Sequence, residues 1–175
     1  MNYLAPFLLT TLLLPSLLRC QRARIVNVAS GAQEMIDFDD LMLRRRYDGY
    51  RAYKQSKLAL ILFTLELAHR LRSQGVPHVT VNAVHPASLM DTKLVHEYFG
   101  RAERSVLEGA RAMLALALAP ELEGASGAYF HGSKVARACA QAYDVNARRR
   151  LGDLSERLAG VGMLASLHAP TAVIS

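Results

Sequence analysis

Two β-branched runs, RIVNV at residues 24–28 and VTVNAVHP at 79–86, flank a long segment of helical periodicity, and this arrangement limits the fold more than any other feature of the chain. Short runs of this kind read as buried strands. Between them, from about Gly49 to Ser73, Leu58, Ile61, Leu62, Leu65 and Ala68 recur at helical spacing, and Gly75 follows as a stop. A strand, a long helix and a second strand predict a right-handed crossover between parallel neighbours. The fold class expected is α/β, a parallel sheet with flanking helices.

The remaining segments can be placed around that unit. Residues 1–19 are strongly apolar but carry Asn2, Thr10, Thr11, Pro15 and Ser16, lack a basic leader and a small-residue cleavage site, and are short for a membrane span. They read as a helix buried by its own core on one face and by a partner on another. Pro6 stands four residues after Asn2 and has no N–H to give, so the Asn2 carbonyl is expected to be free for water. Residues 31–48 form a long loop around FDDL, and 87–100 lack strong periodicity and overhang the end of the second strand. A helix over 101–118, a short strand at 127–131 and an amphipathic helix over 135–158 complete one domain of residues 1–160, with a loosely ordered tail at 161–175.

Composition narrows the partners. In 175 residues, half of them apolar, there is material for one real core. The net charge of +6 comes from scattered arginines and two short runs, Arg44–Arg46 and Arg148–Arg150, without interleaved aromatics, which reads as a solvated face rather than a nucleic-acid site. Cys20 and Cys139 lie far apart with no His partner at ligand spacing, so neither a metal site nor a disulfide framework is expected, and a reducing, cytoplasmic compartment fits.

Chemistry-bearing residues cluster at the head of the long helix and at the strand ends. Tyr53 and Lys57 are four apart, one helical turn, so phenol and ammonium share a face. An adjacent cation favours the phenolate and makes Tyr53 a candidate proton donor or acceptor near neutral pH. Tyr50 and Lys54 have the same spacing, and periodicity does not choose between the pairs. Ser30 follows the first strand, and the carboxyl ends of parallel strands are where an α/β sheet meets its ligand.

Taken in order, Asn2, Ser30, Tyr53, Lys57 and the HPA of His85–Ala87 resemble the short-chain dehydrogenase/reductase superfamily. MNYLAPFLLTTLLLP, RIVNVAS and AYKQSKLALILFTLELAHRL resemble a helix, a strand and a helix of its retinol-dehydrogenase-like branch, and the likeness runs from Asn2 to about Leu158. The resemblance implies a Rossmann-like, doubly wound parallel sheet, present in part. Ser56, just before Lys57, matches the family's serine and selects Tyr53 and Lys57 over Tyr50 and Lys54. By resemblance Tyr53 is the general acid or base, Lys57 holds the nicotinamide ribose, Ser30 bonds the reacting oxygen, and Asn2 anchors a relay water. Pro86, Ser88, Leu89 and Thr92 are carried over as cofactor contacts. The cofactor implied is NAD or NADP, with NADP slightly favoured by the branch, and the substrate a small carbonyl or alcohol. A homodimer or tetramer is implied for a full-length protein.

The chain departs from the family pattern in having Pro86-Ala87 for the usual Pro-Gly and Thr92 one residue late. It also contains no TGxxxGxG turn and no NNAG, the parts that hold adenine and pyrophosphate. It is therefore expected to be the C-terminal portion of a longer reductase, which an in-frame TGxxxGxG upstream would establish. Alone, it is expected to expose an apolar sheet edge, to aggregate, and to have little activity. The alternative is a non-catalytic interaction protein whose first helix binds an apolar partner or a membrane.

Overall fold

A computed structural model describes residues 1–164. Helix α1 spans Leu4–Leu18, strand β1 Ala23–Val28, α2 Gly49–Ser73, β2 Val79–His85, α3 Lys93–Phe99, α4 Val106–Leu118, β3 Tyr129–His131, β4 Lys134–Ala136 and α5 Val145–Ala159. Short 3₁₀ turns lie at Pro120–Leu122 and Ala140–Tyr143. The chain is α/β, with the strands in the order β1-β2-β3-β4. β1 pairs parallel with β2, from Ala23 opposite Val79 to Val28 opposite Val84, and β2 pairs parallel with β3. The crossover inferred from the sequence therefore connects neighbouring parallel strands.

Helices cover both faces of the sheet. Val79, Val81 and Ala83 alternate toward α2, and Val84, between Ala83 and the end of the strand, packs with Leu116 of α4 and Phe130 on the other side. All seven residues of β2 are buried, whereas β1, at one edge, is mostly half-buried. Phe7 and Leu14 of α1 meet Phe63, Leu67 and Leu71 of α2, while Leu9, Leu12 and Leu13 of α1 remain exposed. The face turned to the core is thus real, and no contact among the described residues covers the other. No helix of the described residues is long and apolar enough to cross a membrane.

Local signals fix the ends of α2. The Asp48 carboxylate accepts from the Arg51 amide at 2.6 Å, Arg70 and Arg72 lie in the last turn, and Gly75 takes a left-handed φ of 71°. Its height on the sheet is set by a buried hydrogen bond, Asn27 Nδ2 to Thr64 Oγ1 at 2.8 Å. Thr64 lies seven residues after Lys57 on one face of α2, so this bond draws Lys57 and Tyr53 to the carboxyl end of β1.

Several sequence expectations need correction. The overhang at 87–100 contains a helix, α3, whose start is fixed by the Thr92 hydroxyl accepting from the Val95 amide. The helix expected over 101–118 starts only at Val106, after the Ser105 cap. The one expected over 135–158 is in fact β4, a 3₁₀ turn and then α5, because the Asp144 carboxylate caps the helix by accepting from the Asn146 and Ala147 amides. β4 runs antiparallel to β3, so the sheet is not wholly parallel. Of the tail expected from residue 161, Met163 is buried in the core against α2 and β2, and residues 165–175 lie outside the described residues.

Candidate active site

Because β1 and β2 are parallel, their carboxyl ends open on the same side of the sheet, and the chain leaving each one lines a cavity of about 620 Å³. Asn2, Ser30, Tyr53, Lys57, Pro86, Ser88, Leu89 and Thr92 all line it. Every site residue expected from the sequence thus reaches one cavity, from four separate segments.

Tyr53 and Lys57 come from the first two turns of α2. The Lys57 ammonium lies 5.7 Å from the centre of the Tyr53 ring and donates to the Val28 carbonyl at 2.9 Å, which ties the helix to the end of β1. Burial holds the Lys57 ammonium below the usual lysine range. The competing pair has another fate. Lys54 bonds the Glu34 carboxylate at 2.5 Å and lies over the Tyr50 ring, 5.0 Å from its centre. That carboxylate, held below its ordinary range by Lys54 and then by Arg51, engages the second lysine in structure and leaves Lys57 facing the cavity.

Ser30 is buried, and its hydroxyl oxygen accepts from the Ala32 amide at 3.1 Å. The hydroxyl proton is therefore left to donate into the cavity. Its carbonyl accepts from Gln33 Nε2 at 2.9 Å and from the Tyr129 hydroxyl at 3.1 Å, which fixes the residue from two sides. At the start of α1 the Ala5 amide donates to the Met1 carbonyl and the Phe7 amide to the Tyr3 carbonyl, so the ladder steps over Asn2 at Pro6 as the sequence suggested.

The segment after β2 is shaped by its backbone. Leu89 adopts a φ of 47°, in the left-handed region that leucine seldom visits, and its carbonyl accepts from the Glu103 amide at 2.8 Å. The bridge between Met90 and Arg104 continues this pairing. Thr92 uses its hydroxyl oxygen as the α3 cap and keeps its proton to donate.

Sequence reasoning missed three features. His85 lines the cavity, bonds Ser88 Oγ through Nε2 at 3.0 Å and stacks edge-on to His131 at 4.7 Å. Burial and then the neighbouring His131 hold it below the ordinary histidine range. Its position at the strand end, in the noted HPA run, was the available signal. Tyr50 and Phe99 line the same cavity and meet edge to face at 6.4 Å, and no local pattern joins residues 49 apart. A second cavity of about 430 Å³ adjoins the first through Asn2, Gly49 and Tyr53, and includes the buried Gln55, whose Nε2 has no partner among the described residues.

Comparison with known proteins agrees with this geometry. The profile of the short chain dehydrogenase family matches residues 1–103. Retinol dehydrogenase 13 of Mus musculus is 40% identical over 93% of this chain and 53% of its own length, and retinol dehydrogenase 14 of Homo sapiens is 38% identical over 91% and 51%. The chain spans about half the length of the curated relatives it matches. Among solved structures, an uncharacterised protein from Mycobacterium paratuberculosis superposes with a TM-score of 0.72 at 31% identity, covering 93% of this chain and 58% of that one. Carbonyl reductase Sniffer of D. melanogaster superposes at 0.55 with 18% identity, covering 79% and 54%, a likeness of fold alone.

Proposed function

The chain belongs to the short chain dehydrogenase family, and from that premise we propose that it carries the proton-transfer half of an NAD(P)-dependent oxidoreductase acting on a small carbonyl or alcohol. The observation that carries this reading is the convergence of Tyr53, Lys57 and Ser30 on one cavity at the ends of two parallel strands.

The donor set suits the nicotinamide-ribose end of the cofactor. Lys57 offers an ammonium, Ser88 and Thr92 offer hydroxyls, and a cavity of about 620 Å³ lies within the range of small-ligand sites. When bound, the cofactor supplies or accepts the hydride. In reduction of a carbonyl, Ser30 donates a hydrogen bond to the substrate oxygen and Tyr53 passes its phenolic proton to that oxygen as the alcohol forms. Lys57 stabilises the phenolate left on Tyr53, and a water on the Asn2 carbonyl returns the proton from solvent. Oxidation of an alcohol runs the same steps backward.

The test combines nicotinamide fluorescence with turnover. The chain is titrated with NADPH and NADH, alone and joined to a dinucleotide-binding half. Tyr53→Phe is expected to lower kcat by about 10²-fold or more with little change in cofactor Kd, because only the transferable proton is lost. Lys57→Met is expected to weaken the cofactor as well, and Lys54→Met to do neither. A Tyr53→Phe protein with near-normal kcat would overturn the mechanism.

A further inference from the structure

The second cavity, of about 430 Å³, lies where the start of α1, the loop ahead of α2, the first turns of α2 and the end of α5 meet. Its volume is within the range of small-ligand sites. The walls are chiefly apolar. Leu4, Leu41 and Leu43 are buried or half-buried, whereas Met42, Tyr47 and Leu158 stand 58%, 76% and 58% exposed. Among the described residues no Lys, Arg, Asp or Glu side chain lines it.

One donor in this cavity is unspent. The Tyr3 hydroxyl is paired with Ser155 Oγ at 2.6 Å, and Ser56 Oγ donates to the Tyr53 carbonyl at 2.7 Å. Gln55 is only 5% exposed, yet its Nε2 has no hydrogen-bond partner among the described residues. A buried amide without an acceptor is destabilising, so a ligand that supplies one is favoured beyond its apolar contacts.

The wall opposite the helix is fixed before any ligand arrives. Leu43 holds a φ of 50°, and its amide donates to the Asp40 carbonyl at 2.8 Å. The Asp40 carboxylate in turn accepts from the Arg44 and Arg45 amides at 2.8 and 3.0 Å. Leu89, in the wall of the first cavity, is the other described non-glycine residue with a left-handed backbone. Strain of this kind persists where the surroundings over-determine the chain, and ligand clamps are a common place for it.

We infer that this cavity is a second ligand site, which takes a neutral, mainly aliphatic molecule bearing one hydrogen-bond-accepting oxygen, such as an ester or a tertiary amide. The oxygen accepts from Gln55, and the aliphatic part covers Met42, Tyr47 and Leu158. A carboxylate of equal length is disfavoured, because an ion taken from water into this cavity meets no cationic side chain. Neither cofactor nor turnover enters the inference, which therefore stands or falls apart from the hydride-transfer reading.

The test is equilibrium binding to the full chain, without cofactor, followed by ligand-observed NMR. The probes are methyl octanoate and octanoate. The wild-type chain is expected to bind the ester about tenfold more tightly than the anion. Gln55→Met keeps the length of the side chain and removes the donor. It is expected to weaken the ester about fivefold, the scale of one neutral hydrogen bond, without lowering the Tm of the free chain. A glutamine with a merely structural role would lower that Tm. Ala52→Phe fills the second cavity from a residue that does not line the first, and is expected to abolish ester binding. Phe99→Leu alters only the first cavity and should leave it unchanged. No saturable binding of the ester, equal affinity for ester and anion, or ester binding that survives both Gln55→Met and Ala52→Phe would overturn the inference.

Discussion

His85 shows how one side chain can join the fold to the site. It ends the central strand, its ring lies about 3.3 Å from where a Cβ on Gly31 would fall, and its Nε2 bonds Ser88 at 3.0 Å. Any residue larger than glycine at position 31 would press on that ring, so the turn after β1 and the segment after β2 are fitted to each other. Burial, reinforced by His131, depresses the His85 pKa below the ordinary value of about 6.5. The unfolded chain then binds a proton more readily than the folded one, so this residue's contribution to stability is present above about pH 6.5 and is lost as pH falls through the folded-state value. Urea unfolding is expected to show a falling midpoint between pH 7 and 5, and His85→Asn should flatten that interval. Below about pH 4.5 both proteins should fall together, as Glu34 and Asp40, both held low by their partners, take up protons. A histidine variant with an unchanged profile between pH 7 and 5 would remove His85 as the cause. Spacing made Tyr53 and Lys57 a candidate pair beside Tyr50 and Lys54, the resemblance at Ser56 selected between them, and Ser30 was marked by its place after a strand. Periodicity could not decide between Lys57 and Lys54, since what occupies Lys54 is Glu34, 20 residues upstream in a loop without periodicity. His85 escaped for a similar reason, because His131 reaches it only through the pairing of β2 with β3.

Among the elements, the pairing of α2 with α5 carries an ionic knot beneath the core. Glu66 is buried, and its carboxylate bonds Arg70 Nε at 2.8 Å, with Arg148 Nε 3.7 Å from the other oxygen. Arg70 also reaches Glu156 at 3.0 Å and Asp153 at 3.8 Å, both on α5. Arg70→Met would leave Glu66 with a single distant cation, and losing one member of a buried pair costs about 3–5 kcal/mol. Urea unfolding should read a loss near the lower figure, since Arg148 remains. Glu66→Leu together with Arg70→Met should recover most of it, and a double variant as unstable as the single would argue against the ionic account. The start of α5 gives a smaller test. Asp144→Ala leaves the Asn146 and Ala147 amides without their acceptor and is expected to cost about 1 kcal/mol, lowering Tm by roughly 2–4 °C in a chain of this size. That cap also explains what the sequence hid. The amphipathic pattern continued upstream of Asp144 into Val135, and only the Gly132 turn and the β3–β4 pairing show that residues 134–136 are strand. The long elements, β1, α2 and β2, were legible because each is long enough for its period to outweigh local noise. The seven-residue α3 and three-residue β4 were not.

On the scale of the whole molecule, the described residues leave apolar surface on three elements. β1 sits at an edge of the sheet with its outer backbone groups unpaired by any described strand. Leu9, Leu12 and Leu13 stand out from α1, and Leu107, Leu114 and Leu118 fall in one row along α4 by helical spacing, each at least 49% exposed. A long strand edge beside exposed leucine rows is a template for association. The family relatives are about twice as long, and a preceding half that extends the sheet past β1 would cover this edge. The isolated chain is therefore expected to self-associate with concentration, seen as a rising mass in light scattering across the micromolar range and as binding of an apolar dye. Two sets of changes divide the cause. Val26→Lys places a charge on β1 and should suppress growth that proceeds by strand pairing, whereas Leu9→Gln, Leu12→Gln and Leu13→Gln should suppress association through α1 and leave edge pairing intact. Joining a dinucleotide-binding half ahead of residue 1 should abolish the edge-dependent part and leave the part that depends on the α1 leucines unchanged. A chain that stays monomeric at high concentration without that half would show that β1 is protected in some other way.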